Sequence, residues 1–147
     1  MNQSARKWRR IRRSIYASLA VVGLCFVVCC WIAGGTLIAP ANHPVGAPPD
    51  DLPFQSTGLH SESGSEIATW YLSATDAGAT IILLHGIRGD RRGMLDHARI
   101  LHEAGYGLVL IDLQAHGEST GEHITVGWLE RHDVSAAVQF ALSLIHI

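Results

Sequence analysis

From residue 15 to residue 39 the chain carries no charged side chain, and beyond residue 53 its apolar positions fall into short runs separated by turn-forming residues. As a helix, the uncharged run is about 37 Å long at 1.5 Å rise per residue, more than the roughly 30 Å of a bilayer's hydrocarbon core. The pattern predicts a transmembrane helix over 15–39. Residues 40–53 hold Pro40, Pro44, Pro48, Pro49 and Pro53 with Asn42 and Gly46, a composition that disfavours helix and sheet interiors and predicts a linker. Residues 54–60 and 66–72 then flank Ser61-Glu62-Ser63-Gly64-Ser65, and this arrangement predicts a β-hairpin.

A turn at Asp76 and Gly78 leads into Thr80-Ile81-Ile82-Leu83-Leu84, an unbroken apolar run of the kind found in strands buried on both faces of a parallel sheet. Asp90 is placed to cap a helix in which Met94, Leu95, Ala98, Leu101 and Ala104 mark one face, and Gly105 supplies a left-handed stop. Gly107-Leu108-Val109-Leu110-Ile111 repeats the buried-strand signature, so strand, helix and strand form a βαβ unit. Val134, Ala137, Val138 and Ala141 mark a second helix beginning near residues 128–133. The predicted class is α/β: a hairpin plus a βαβ unit, preceded by one transmembrane helix.

Charge sets the orientation. Arg6, Lys7, Arg9, Arg10, Arg12 and Arg13 precede the apolar run, and no further Lys or Arg occurs before Arg88. By the positive-inside rule the N-terminus is cytoplasmic and the remainder lies outside, a single-pass arrangement. Ala39-Pro40-Ala41 offers small residues at a signal-cleavage position, so secretion after cleavage is the rival; the apolar run exceeds the usual 7 to 15 residues of a signal, which favours the anchor. All thirteen acidic residues lie from Asp50 onward, against Arg88, Arg91, Arg92, Arg99 and Arg131, a formal −8. An acidic domain of this kind excludes nucleic acid as the expected partner. Cys25, Cys29 and Cys30 all fall in the apolar run, which rules out a disulfide framework or thiolate metal site beyond it. His97 and His102 are five residues apart and turn to different helix faces, and no His-x-x-x-His motif occurs, so no metal is expected; His116, Glu118, Glu122 and His123 share a loop that offers at most an adventitious divalent ion.

Two loops carry the candidate chemistry. His85-Gly86-Ile87-Arg88-Gly89 follows the first buried strand, and Asp112-Leu113-Gln114-Ala115-His116-Gly117-Glu118-Ser119 follows the second. Backbone N–H groups in a tight glycine-rich loop can stabilise an oxyanion without reorganising. Arg88, Arg91 and Arg92 at the next helix start read as a solvated turn, with contact to an acidic substrate as the functional alternative. Gly117-Glu118-Ser119-Thr120-Gly121 satisfies G-x-S-x-G, yet Ser119 lies well past the strand end, where a nucleophile elbow would not place it.

Together the two loops and the helix between them resemble the front half of an α/β-hydrolase of the lipase, esterase and aminopeptidase kind. The resemblance covers residues 51–141 and is strongest over 80–121. It implies that Ile87, in the His85-Gly86 motif, donates one oxyanion N–H, and that Asp112 and Ser119 hold the second loop in a structural role; His85 itself reads as a ring that braces the loop by hydrogen bonds to nearby backbone. It further implies a serine nucleophile with a His base and an acid, all beyond residue 147, acting on a small acyl substrate through an acyl-enzyme and without a cofactor. Leu142-Ser143-Leu144-Ile145-His146-Ile147 resembles a reading frame through a transposon end used in library preparation, so residues 142–147 are expected to be non-native. The expected organisation is a basic cytoplasmic segment 1–14, a transmembrane helix 15–39, a linker 40–53 and a partial hydrolase domain 54–141, truncated before the nucleophile and inactive as it stands. The alternative is a non-catalytic, membrane-anchored binding module on the same scaffold.

Overall fold

The computed structural model describes residues 3–74 and 78–145. The chain divides into two units, Met1–Leu37 and Ile38–Ile147. The first is a helix, α1 (Gln3–Ile38 as an element), which begins well before residue 15 because the basic segment is itself made of good helix formers. By length and composition it can cross a membrane. Its large apolar side chains are exposed throughout, Trp31 by 79%.

The second unit is an α/β structure. Its elements are β1 (Ala41–Asn42), β2 (Gln55–His60), β3 (Glu66–Leu72), β4 (Thr80–Leu84), a 3₁₀ turn at Arg91–Met94, α2 (Leu95–Glu103), β5 (Gly107–Ile111), β6 (His116–Gly117) and α3 (Glu130–Ile145). The main sheet has the order β2-β3-β5-β4. β2 and β3 form the predicted hairpin, His60 opposite Glu66. β4 and β5 run parallel from Thr80 opposite Gly107 to Leu84 opposite Ile111, as the strand-helix-strand spacing requires. β3 closes on β5 antiparallel. The turn assigned to Asp76 and Gly78 falls partly on residues 75–77, outside the described residues.

Side chains alternate across the sheet with period two, and each face finds its own helix. Trp70, Leu72, Leu108 and Leu110 pack with Ala98, while Ile67, Val109 and Ile111 pack with Ala137 and Ala141. Two expectations change. β4 is half exposed rather than buried on both faces, because it stands at the sheet edge with only β5 beside it; β5 is the fully buried strand. The proline-rich residues 40–53 also contribute to the domain itself: Val45 and Leu52 are core residues, and β1 pairs in parallel with β6. Asp90 caps the 3₁₀ turn, its Oδ1 accepting from Arg92 N–H at 2.7 Å, and Gly105 at φ +89° ends α2 as predicted.

Candidate active-site loops

Both candidate loops leave the carboxyl ends of the parallel strands β4 and β5, where the sheet places them side by side. In the first, Gly89 N–H donates to Gly86 O at 3.0 Å, closing a four-residue turn with Ile87 and Arg88 at its centre. Arg88 has φ +62°, the left-handed conformation that a type II turn demands of its third residue and that L side chains adopt only at a cost. A Cβ on Gly89 would meet Gly86 O at 3.1 Å, so this position stays small. Ile87 is 65% exposed, and its N–H has no acceptor among the described residues.

His85 holds this loop to its neighbour. Its Nδ1 lies 2.8 Å from Gly86 O and its Nε2 accepts from Leu113 N–H at 3.0 Å. A carbonyl at one nitrogen and an N–H donor at the other fix a neutral ring protonated on Nδ1. Burial agrees, pushing the His85 pKa down. The ring is committed to the backbone on both sides and has no free nitrogen for acid or base work.

The second loop is organised around Asp112, which is fully buried. Oδ1 accepts from Arg91 N–H at 2.7 Å, while Oδ2 accepts from Glu118 N–H at 2.9 Å and from Arg91 Nη1. Gly117 packs directly beneath this carboxylate: an added Cβ would stand 2.1 Å from Oδ2, at φ +49°. Ser119 Oγ donates to Asp112 O at 2.6 Å and accepts from Ala68 N–H at 2.9 Å, and the residue is 1% exposed. The hydroxyl of the G-x-S-x-G match is thus sealed inside a brace between loop and sheet. Among the described residues no serine hydroxyl is hydrogen-bonded to a histidine ring.

Arg91 departs from the expected solvated turn. It is 3% exposed, pairs with both Asp112 and Glu118, and sits 4.4 Å over the Trp70 ring, where its charge is neutralised and stacked. It is therefore unavailable to a substrate. Arg92 remains exposed and donates to Ala47 O at 3.2 Å.

Several organising residues carried no sequence signal. Glu118 Oε1 accepts from Val45 N–H and Gly46 N–H at 3.0 and 2.9 Å, and these bonds together with Arg91 hold its pKa down to about 2. Asn42 Nδ2 donates to Ser119 O. His43 faces Ala41 O through Nδ1 and Asp90 Oδ2 through Nε2, both at 2.9 Å; two acceptors call for a proton on each nitrogen, and the Asp90 hydrogen bond accordingly raises the His43 pKa. Residues 41–46 thus form a strap pinned across both loops. A depression of about 660 Å³ lies along this strap, lined by residues such as His43, Gly117 and Glu118, and does not include Ile87. On the other side Asp133, fully buried, accepts from Ser61 Oγ, Ser63 Oγ and Gln114 N–H and ties α3 to the hairpin turn. An acid in the first turn of a helix was visible in the sequence; its three partners, 19 to 72 residues away, were not.

No protein-family profile matches the chain. Among curated proteins it is similar to YqkD of Bacillus subtilis, an uncharacterized protein, at 26% identity over 80 residues, which is 54% of this chain and 26% of that one. Among solved structures, an esterase from Pyrococcus furiosus superposes with a TM-score of 0.61 at 24% identity, covering 71% of this chain and 41% of the esterase. An epoxide hydrolase from an endophytic Streptomyces gives 0.51 at 22% identity, covering 61% and 27% respectively. The chain therefore spans well under half the length of each of these proteins. It has the fold of the front part of an α/β-hydrolase, preceded by one long apolar helix.

Proposed function

We propose that this chain is the membrane-tethered front part of a serine hydrolase acting on an ester, amide or related acyl bond of a small substrate. The observation that carries the reading is the Gly86–Gly89 turn: the N–H of the exposed Ile87 has no acceptor among the described residues, and His85 locks the turn to the next loop. A fixed donor of that kind at the carboxyl end of a parallel strand is half of an oxyanion hole. In this reading a serine oxygen adds to the substrate carbonyl, Ile87 N–H stabilises the resulting oxyanion, the leaving group departs protonated by a histidine, and water resolves the acyl-enzyme. The serine, the histidine and its orienting acid belong to chain beyond these residues, as does the second oxyanion donor. The helix α1 supplies the tether, with the basic end on the cytoplasmic side.

The test is Ile87→Pro in the protein made from the complete gene. Ile87 is the second residue of its turn, is not among the positive-φ residues and is exposed, so proline fits there and removes the N–H without emptying a core position. Hydrolysis of a chromogenic acyl ester should fall in kcat by about 10²–10³, the loss seen on removing one oxyanion donor, with KM and melting temperature unchanged. A folded Ile87→Pro variant with undiminished kcat would remove the assignment. A complete protein that is folded and inert toward esters and amides alike would favour the binding-module reading.

A further inference from the structure

We propose that the loop at residues 126–128, with Arg131 beside it, is a contact for the interfacial zone of a lipid bilayer. The chain joins the folded domain at Ile38, and Ile38 O accepts a hydrogen bond from Ile124 N–H at 2.9 Å. Val126 follows two residues later, within about 7 Å of Ile124 along the chain. The interfacial zone on each side of the hydrocarbon core is of similar depth, about 5–7 Å. The uncharged run 15–39 ends at this same place, so the loop lies where a membrane tether would deliver the domain.

The loop presents apolar surface there at some conformational expense. Val126 is 72% exposed and Trp128 67%, and Val126, a β-branched residue, is held at φ +52°. Glu130 enforces this shape, its carboxylate accepting from Thr125 N–H at 2.7 Å, Thr125 Oγ1 at 2.5 Å and Gly127 N–H at 2.8 Å. Those bonds turn the acid inward. The exposed cation beside the loop is the Arg131 guanidinium, 4.2 Å from the centre of the Trp128 ring, while Glu122 is exposed on the other side of Ile124. A valine, a tryptophan and a stacked arginine reproduce the composition of interfacial membrane anchors, the ring among the headgroups and the cation at lipid phosphate. The domain as a whole is acidic, so the cation offered to lipid phosphate is local, Arg131 beside the exposed Trp128 ring, and the amphipathic Val126-Trp128 surface fits a bilayer interface.

The proposal rests on the tether reading above, and the experiment separates the two. The full chain, with Cys25, Cys29 and Cys30 replaced by alanine, receives a single nitroxide through Val126→Cys, Leu24→Cys or Ile100→Cys and is placed in phosphatidylcholine nanodiscs. Collision with oxygen, which concentrates in lipid, is compared with collision with a water-soluble nickel chelate. Ile100 is 67% exposed on α2 and serves as the aqueous reference. The expected result is lipid-like accessibility at Leu24 and Val126, with Ile100 open to nickel. Lipid at Leu24 but nickel access at Val126 equal to that at Ile100 overturns the loop contact alone. A Val126 label shielded from both reagents also overturns it, since a protein then covers the loop. Nickel access at Leu24 overturns the tether, and the loop contact with it.

Discussion

Asp112→Ala removes the acceptor for Arg91 N–H, Arg91 Nη1 and Glu118 N–H at once, and leaves a guanidinium that is 3% exposed without its fully buried partner. Breaking a buried pair from one side costs about 3–5 kcal/mol, because the surviving charge stays desolvated. Against the roughly 5–15 kcal/mol that holds a domain together, that is at least about a fifth of the total. Urea unfolding of the full chain in detergent micelles, read by tryptophan emission, should move to a midpoint about 2–3 M lower at an m-value of about 1.5 kcal/mol per M. Trp70, stacked under Arg91, is the natural reporter. Arg91→Met together with Asp112→Ala removes the buried charge that Glu118 alone would be left to pair, so the double variant should lose less than the sum of the two single losses. A single-variant loss under about 1 kcal/mol, or a double variant whose loss equals the sum of the two single losses, would refute the view that this pair organises the loop.

Gly117→Ala should cost about 2–5 kcal/mol in the same assay, combining the left-handed backbone with a Cβ driven onto Asp112 Oδ2; stability within about 0.5 kcal/mol of the parent would contradict the packing described. The strap should be pH-sensitive at both ends. The raised pKa of His43 makes its contribution complete below 6.5 and lost as pH climbs through the folded value, while the depressed pKa of Glu118 makes its contribution complete above 4.5 and lost as pH falls through about 2. Exchange protection of His43 N–H, which donates to Gly117 O at 2.8 Å, should therefore be greatest between pH 4.5 and 6.5, and His43→Ala should flatten the alkaline side. Protection that rises from pH 6.5 to 9 would run against this.

Residues 80–84 and 107–111 were legible to the residue because each strand is an apolar run with a turn residue or loop at either end, and period and punctuation are local properties. The hairpin and the cap at Asp90 were legible for the same reason. What sequence could not reveal is long-range. Arg91 looks like a solvated helix start until the sheet carries Asp112 and Glu118, 21 and 27 residues away, to its side. The strap is assembled across more than 70 residues, from Asn42 to Ser119 and from Val45 to Glu118, out of a stretch whose prolines signal only irregularity. Half-burial of β4 was equally hidden, because an apolar run does not state which strands lie beside it. A useful signal was nonetheless present: an acid directly after a buried strand, as at Asp112, requires a partner, and the nearby arginines were the candidates.

The most direct test of the central claim is covalent labelling of the complete gene's protein with a fluorophosphonate, followed by peptide mapping. The account predicts one adduct, on a serine encoded beyond these 147 residues, with Ser119 unmodified in its buried brace. An adduct on Ser119 or on any other serine of this chain, or a folded protein that takes no label, would contradict it.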